Sequence, residues 1–258
     1  MANERQQRAA RAEQMRKERE KADRRQRNLI TVAIVAIVVV LVGVAGYAIN
    51  KTHTANSPSG KYVAPANLSD AKNFGFNYSA VDAGGKAGTK PVTVVLYEDF
   101  QCPICKSFEE ANGSFLAAQV KAGKITIQYR PFSFLNTKAN DNYSDRAAAA
   151  GMCVYDKGGA EAYKKFHDLL YANQPAEGGA GLPPATLIDY ANQAGTTGLD
   201  SCIKSQKFVP WVKKAKEKGT ADKVSGTPTI RINGKDVTGS GGSVPQAADL
   251  QKAITAAS

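Results

Sequence analysis

Histidine and cysteine are scarce in this chain of 258 residues. There are two histidines, His53 and His167, and four cysteines, Cys102, Cys105, Cys153 and Cys202. A structural zinc site takes four ligands, usually two close cysteine pairs, or one pair with two histidines three to five residues apart. Only one close cysteine pair exists here, and the two histidines are 114 residues apart. The expected metal set is therefore none. A zinc module stays as an alternative, which metal bound after purification under reducing conditions would establish.

A dense basic patch is also missing. The formal charge is +11, but residues 1–28 hold ten Lys/Arg and five Asp/Glu, so +5 of it sits in that short tail. The remaining +6 is spread over 230 residues. A nucleic-acid module needs a basic face with a recognisable motif, and neither is present, so no nucleic-acid partner is expected.

Charge disappears altogether from Leu29 to Ile49, 21 residues with Thr31 and Tyr47 as the only polar interruptions. At 1.5 Å per residue that length crosses a bilayer core of about 30 Å. The alternative, a cleaved signal peptide ending after Ala45 or Ala48, would have an apolar region of about 7–15 residues. The longer run favours an uncleaved single-pass anchor. Arg24, Arg25 and Arg27 crowd its N-terminal flank, against Lys51 and Lys61 beyond it, and positive residues stay on the cytoplasmic side. Residues 1–28 are thus expected to be a cytoplasmic basic tail, 29–49 a transmembrane anchor, 50–65 a linker and 66–258 a folded domain outside the cytoplasm. Disulfides persist in such a compartment.

Within that domain the stretch Phe100-Gln101-Cys102-Pro103-Ile104-Cys105 organises the rest. Pro91 to Tyr97 before it is apolar and β-branched, a buried strand. After it, Phe108, Phe115, Leu116 and Val120 recur at helical spacing. Cys102 then stands at a helix start with Pro103 in the first turn, where its missing N–H costs nothing. The free N–H groups and positive dipole end there favour a thiolate on Cys102. Two cysteines three apart on such a turn close a small disulfide ring, which makes the pair a redox centre.

Elsewhere the pattern predicts a strand near 74–79, a turn at 82–85, strands at 92–97 and 125–129, and a helix over 103–121. Helical segments follow at 147–155, 160–172, 185–194 and 200–219, the last kinked or divided by Pro210. Strands at 229–232 and 236–238 flank Asn233-Gly234, a strong hairpin signal, and a helix closes the chain at 245–257.

This order resembles an α/β thioredoxin fold with an inserted helical domain at about 137–219, preceded by a single N-terminal transmembrane helix. The residues Tyr97-Glu98-Asp99-Phe100-Gln101-Cys102-Pro103-Ile104-Cys105, Arg146 to Cys153, Phe166-His167 and Gly226 to Gly234 carry a specific likeness. The chain resembles the DsbA family of exported thiol–disulfide oxidoreductases, in its membrane-anchored actinobacterial branch. The resemblance implies Cys102 as nucleophile, Cys105 as resolving cysteine, and Pro228 as a cis-proline beside the pair, with Thr227 offering a backbone edge to an extended substrate. A trans Pro228 opening an edge strand is the plain alternative.

Implied partners are exported unfolded proteins with cysteine pairs and a quinone-linked membrane oxidase. The cysteine pair needs no separate cofactor. Two departures stand out. The family's buried acid six residues before the first cysteine is Leu96 here, leaving Glu98 and Asp99, on opposite faces by strand alternation, as candidates. Between the cysteines, Ile104 cannot supply the hydrogen bond of the histidine in the family's best-known oxidant. Pro103, Ile104, Glu98 and Asp99 are therefore the expected tuning residues.

Cys153 and Cys202 lie in the helical block, and an exported domain seldom leaves two thiols free. A structural disulfide is expected, with two buried reduced cysteines as the alternative. His167 has no evident partner, and a packing role is expected for it. A reductase, for example in cytochrome maturation, and a non-catalytic peptide-binding scaffold are the competing functions.

Overall fold

The computed structural model describes residues 61–258. The expected tail and anchor, together with most of the linker, lie outside the described residues, as does His53. Among the described residues no helix is long and apolar enough to cross a membrane.

A five-stranded mixed sheet forms the frame, in the order β1-β3-β2-β4-β5. Its central strand β2 (Val92–Glu98) pairs parallel with β3 (Ile125–Pro131), Val92 opposite Ile125 and Glu98 opposite Pro131. On its other side β2 runs antiparallel to β4 (Thr229–Ile232), Val94 opposite Ile232 and Tyr97 opposite Thr229. Short β1 (Phe76–Tyr78) adds antiparallel to β3. The parallel β2–β3 pair needs a crossover, and helix α1 (Pro103–Lys121) provides it. Its buried face is Cys105, Phe108, Asn112, Leu116 and Val120, the spacing of one helical stripe. The active-site pair therefore sits where the central strand ends and the crossover helix begins.

Between β3 and β4 lies the helical block. Helix α2 (Tyr143–Ala172) is one element broken at Gly159, whose φ of 73° is left-handed. That break falls between the two segments expected at 147–155 and 160–172. Side-chain volume explains the close packing of its first half, since Ala147 to Ala150 are all buried. Helices α3 (Pro184–Gln193), α4 (Asp200–Lys204) and α5 (Val209–Ala221) complete the block. The run expected at 200–219 is thus divided, and Pro210 stands in the first turn of α5, where it is tolerated. Cys153 on α2 and Cys202 on α4 form a disulfide closing a loop of 49 residues.

Two expectations shift at the sheet edge. Strand β1 is shorter than 74–79, because Phe74 is left-handed at the end of a 3-10 turn. Strand β5 (Lys235–Asp236) begins one residue before the expected 236, leaving Asn233-Gly234 as a two-residue loop. Both residues have positive φ, 52° and 73°, the geometry that a tight hairpin requires. Helix α6 (Ala247–Ala257) closes the chain. The Gln246 N–H donates to Asp249 Oδ2 at its start, 2.9 Å away.

Candidate active site

Cys102 caps α1 in extended conformation with Pro103 next in line. Its thiol donates to the Thr227 carbonyl, 3.3 Å away, and the Thr227–Pro228 peptide bond is cis. Residues 125 apart in sequence are thus brought together where β4 begins. The loop before the helix is pinned from outside. Gln174 Nε2 donates to the carbonyls of Phe100, at 3.1 Å, and Cys102, at 2.9 Å. Gln101, fully buried, donates to the carbonyls of Ala176 and Gly179. Asn140 Nδ2 in turn donates to Gln101 Oε1. These contacts tie the cysteine loop to the segments before and after α2, and no local sequence signal marked Gln174 or Asn140 for that role.

The two thiols are free, and their environments split them apart. The Cys105 thiol hydrogen-bonds the Cys102 sulfur, which pulls the Cys102 pKa down. Burial opposes this, but the Thr227 side-chain hydroxyl and the backbone N–H groups of Cys105 and Ile104 add to the lowering, and the result is about 6. Cys105 is fully enclosed. Burial, then its bond to Cys102 and the charge of Glu98, push its thiol well above the ordinary value. Near neutrality this arrangement presents one thiolate at the surface end of the pair and one protonated thiol beneath it. A thiolate is the attacking and leaving species in disulfide exchange.

Ile104 contributes through its backbone, while its side chain is 49% exposed beside the pair. Leu96 is buried in the sheet. Strand alternation assigned Glu98 and Asp99 to opposite faces, with one of them outside. The structure buries both, at 8% and 2% exposure, because β2 ends at Glu98 and alternation no longer governs the next residue. Their tasks differ. Asp99 folds back on the loop, its Oδ1 accepting the Gln101 N–H and its Oδ2 the Leu135 N–H, both at 2.8 Å. Burial raises its pKa against those bonds. Glu98 lies near enough for its charge to act on Cys105, and its Oε2 is 3.1 Å from His167 Nε2.

His167 corrects the expectation of a partnerless packing residue. It is fully buried, with Asp168 Oδ1 3.1 Å from its Nδ1 and the rings of Phe100, Tyr129, Tyr163 and Tyr171 around it. Burial opposes its charge, but Asp168, Glu98 and Glu109 outweigh that and raise its pKa to about 9. Its partner Glu98 is 69 residues away, a separation that the sequence pattern does not bridge.

A cysteine pair at a helix start, one sulfur against the residue before a cis-proline, on a sheet ordered 1-3-2-4-5, defines a dithiol–disulfide protein of the thioredoxin class. The thioredoxin family model matches residues 85–256. DsbA from Mycobacterium tuberculosis, in its reduced crystal structure, is 32% identical, with a TM-score of 0.56, over 72% of this chain and all of that one. The reduced disulfide bond oxidoreductase DsbG of the same organism is 31% identical, also with a TM-score of 0.56, over 70% of this chain and 92% of its own. The serine/threonine-protein kinase PknE of M. tuberculosis is 31% identical over 122 residues, 45% of this chain; the match spans only 21% of the kinase's length. The chain belongs to the thioredoxin family, as a DsbA-like thiol–disulfide oxidoreductase of actinobacterial type.

Proposed function

We propose that this protein is a membrane-anchored oxidase that passes its Cys102–Cys105 disulfide to cysteine pairs of exported proteins. The observation that carries the reading is the split between a Cys102 thiol lowered to about 6 and a Cys105 thiol held well above the ordinary value. A substrate thiolate attacks Cys102 Sγ, forming a mixed disulfide, and Cys105 leaves with the electron pair and takes up a proton. A second substrate thiolate then attacks the substrate sulfur of that bridge. Cys102 leaves as a thiolate, the substrate gains a disulfide, and the enzyme holds two electrons as a dithiol. A low pKa makes Cys102 a good leaving group in this second step. Buried Cys105 attacks an external disulfide poorly, and the backbone of Thr227 offers an extended substrate its edge.

No dissociable cofactor enters these steps, since the pair is the redox centre. Reoxidation falls to a quinone-linked membrane partner, and tethering to the run 29–49, with the N-terminus cytoplasmic. The arginine cluster at 24–27 supports that orientation.

Equilibrating the protein with a glutathione buffer tests the direction of catalysis. A potential well above the poise of the cytosolic glutathione pool fits an oxidase, and one below it a reductase. Protease added to intact cells stripped of their wall tests the topology. Removal of the globular domain is expected, and its protection would reverse the orientation.

A further inference from the structure

Beneath the cysteine pair the structure gathers three side chains that disulfide exchange does not require together. Glu98 from the end of β2, Glu109 from α1 and His167 from α2 each bring one donor atom to a common point, all within 4.8 Å of one another. Two carboxylates and an imidazole form a mixed oxygen–nitrogen set. Imidazole suits zinc and its first-row neighbours, whereas calcium and magnesium prefer oxygen alone.

Independent features of the surroundings point the same way. Glu98 Oε1 and Glu109 Oε1 are buried without a hydrogen-bond partner, a costly state for carboxylate oxygens. The Tyr129 hydroxyl is likewise unpartnered. It is a separate residue, 2% exposed, its ring 5.1 Å from that of His167, and the charges of Glu109 and Glu98 both act on it. The outer nitrogen of His167 is held by Asp168, the carboxylate–histidine arrangement that orients metal-binding imidazoles. One of the three, Glu109, also faces a groove. That groove, of about 360 Å³ between α1 and α2, is lined by Glu109, Ser114, Lys164, Asp168 and Tyr171. Among the described residues, the one cationic residue lining it, Lys164, is engaged by Asp168.

We propose that Glu98, Glu109 and His167 form a binding site for one divalent cation of the zinc class, reached through the groove between α1 and α2. Oε1 of each glutamate and Nε2 of His167 supply the ligands, with a water or the Tyr129 hydroxyl as the fourth. Nε2 gives up its proton on binding. The site stands apart from the redox reading and needs no turnover to be observed.

The test uses the untagged full chain with both disulfides closed, so that no thiol can ligate. Zn²⁺ is titrated in competition with a chromogenic chelator. One Zn²⁺ per chain is expected. Glu109→Gln and His167→Gln should each weaken binding at least about tenfold, and Asp168→Asn by about 10–100-fold. His53→Gln, which changes the other histidine, should leave affinity unchanged. X-ray absorption of the zinc-loaded wild type should show nitrogen and oxygen neighbours at about 2.0–2.2 Å and no sulfur at about 2.3 Å. Should His167→Gln fail to fold, judged by near-UV circular dichroism, Glu109→Gln at the groove rim and the absorption spectrum decide. Absence of stoichiometric binding, unchanged affinity in Glu109→Gln, or sulfur in the first shell would overturn the proposal.

Discussion

Replacing Cys105 by alanine isolates the main cause of Cys102 acidity. The Cys105 thiol supplies the largest lowering of the Cys102 pKa, and a hydrogen bond to a charged group contributes about 1.5–3 kcal/mol. At 1.36 kcal/mol per unit this is about 1–2 pKa units, so Cys105→Ala should move Cys102 from about 6 to about 7–8. At pH 7 the thiolate fraction then falls from about nine-tenths to between about one-tenth and one-half.

The energetic consequence has a definite sign. A depressed thiol pKa stabilises the folded reduced protein above the unfolded value of about 8.5, and that stabilisation is lost as pH falls through about 6. At pH 7 it amounts to RT ln 11, about 1.4 kcal/mol, against about 0.4 kcal/mol or less in the variant. In the wild type the same term makes the disulfide more oxidising by about 30 mV at pH 7 than a pair that stays protonated.

The variant is clean to assay, because Cys153 and Cys202 are bonded to each other and Cys102 is its only free thiol. Ultraviolet thiolate absorbance and the rate of iodoacetamide alkylation, each followed from pH 4 to 10, give the midpoint (that range being about two units either side of the expected values). A midpoint that stays near 6 would refute the reasoning and leave the helix-start N–H groups as sufficient cause.

Three further outcomes are expected. Ile104→His places a further donor beside the Cys102 sulfur, so the Cys102 pKa should fall and the reduction potential rise; a glutathione titration showing neither change would remove the dipeptide from the control of poise. Cys202→Ser opens a loop of 49 residues and should cost about 2–4 kcal/mol of unfolding free energy in urea, with the Cys102 titration unchanged; full stability in the variant would show the bridge to be dispensable. In a Cys102→Ser background, Glu98→Gln removes a charge that holds the Cys105 thiol up, so Cys105 alkylation should begin at lower pH, and an unchanged onset would mean that burial alone governs it.

How far the sequence reaches depends on the range over which each cause acts. Short-range causes were legible. A β-branched run followed by Cys-Pro specifies a strand entering a helix, because proline has a natural place in the first turn and nowhere later. The same rule places Pro210 in the first turn of α5, just after the break from α4. Asn233-Gly234 specified a hairpin because these two residues tolerate the positive φ that the turn demands. The position of the cysteine pair at a helix start follows from such local rules, whereas the split in its reactivity also draws on Thr227, Glu98 and burial.

Other features were set by contacts between distant segments. Strand alternation could not anticipate that Glu98 and Asp99 are both buried, since the helical block covers the end of β2 and the period of two stops where the strand does. His167 read as a packing residue because its partner lies 69 positions away and is met only when α2 folds across the sheet. Gln174 and Asn140 carry no motif, yet they hold the cysteine loop through bonds that exist only once the block is docked. Chemistry that depends on one turn of backbone is written in adjacent residues, whereas a buried charge has its meaning from whatever the fold brings against it, because burial makes the choice of partner decisive.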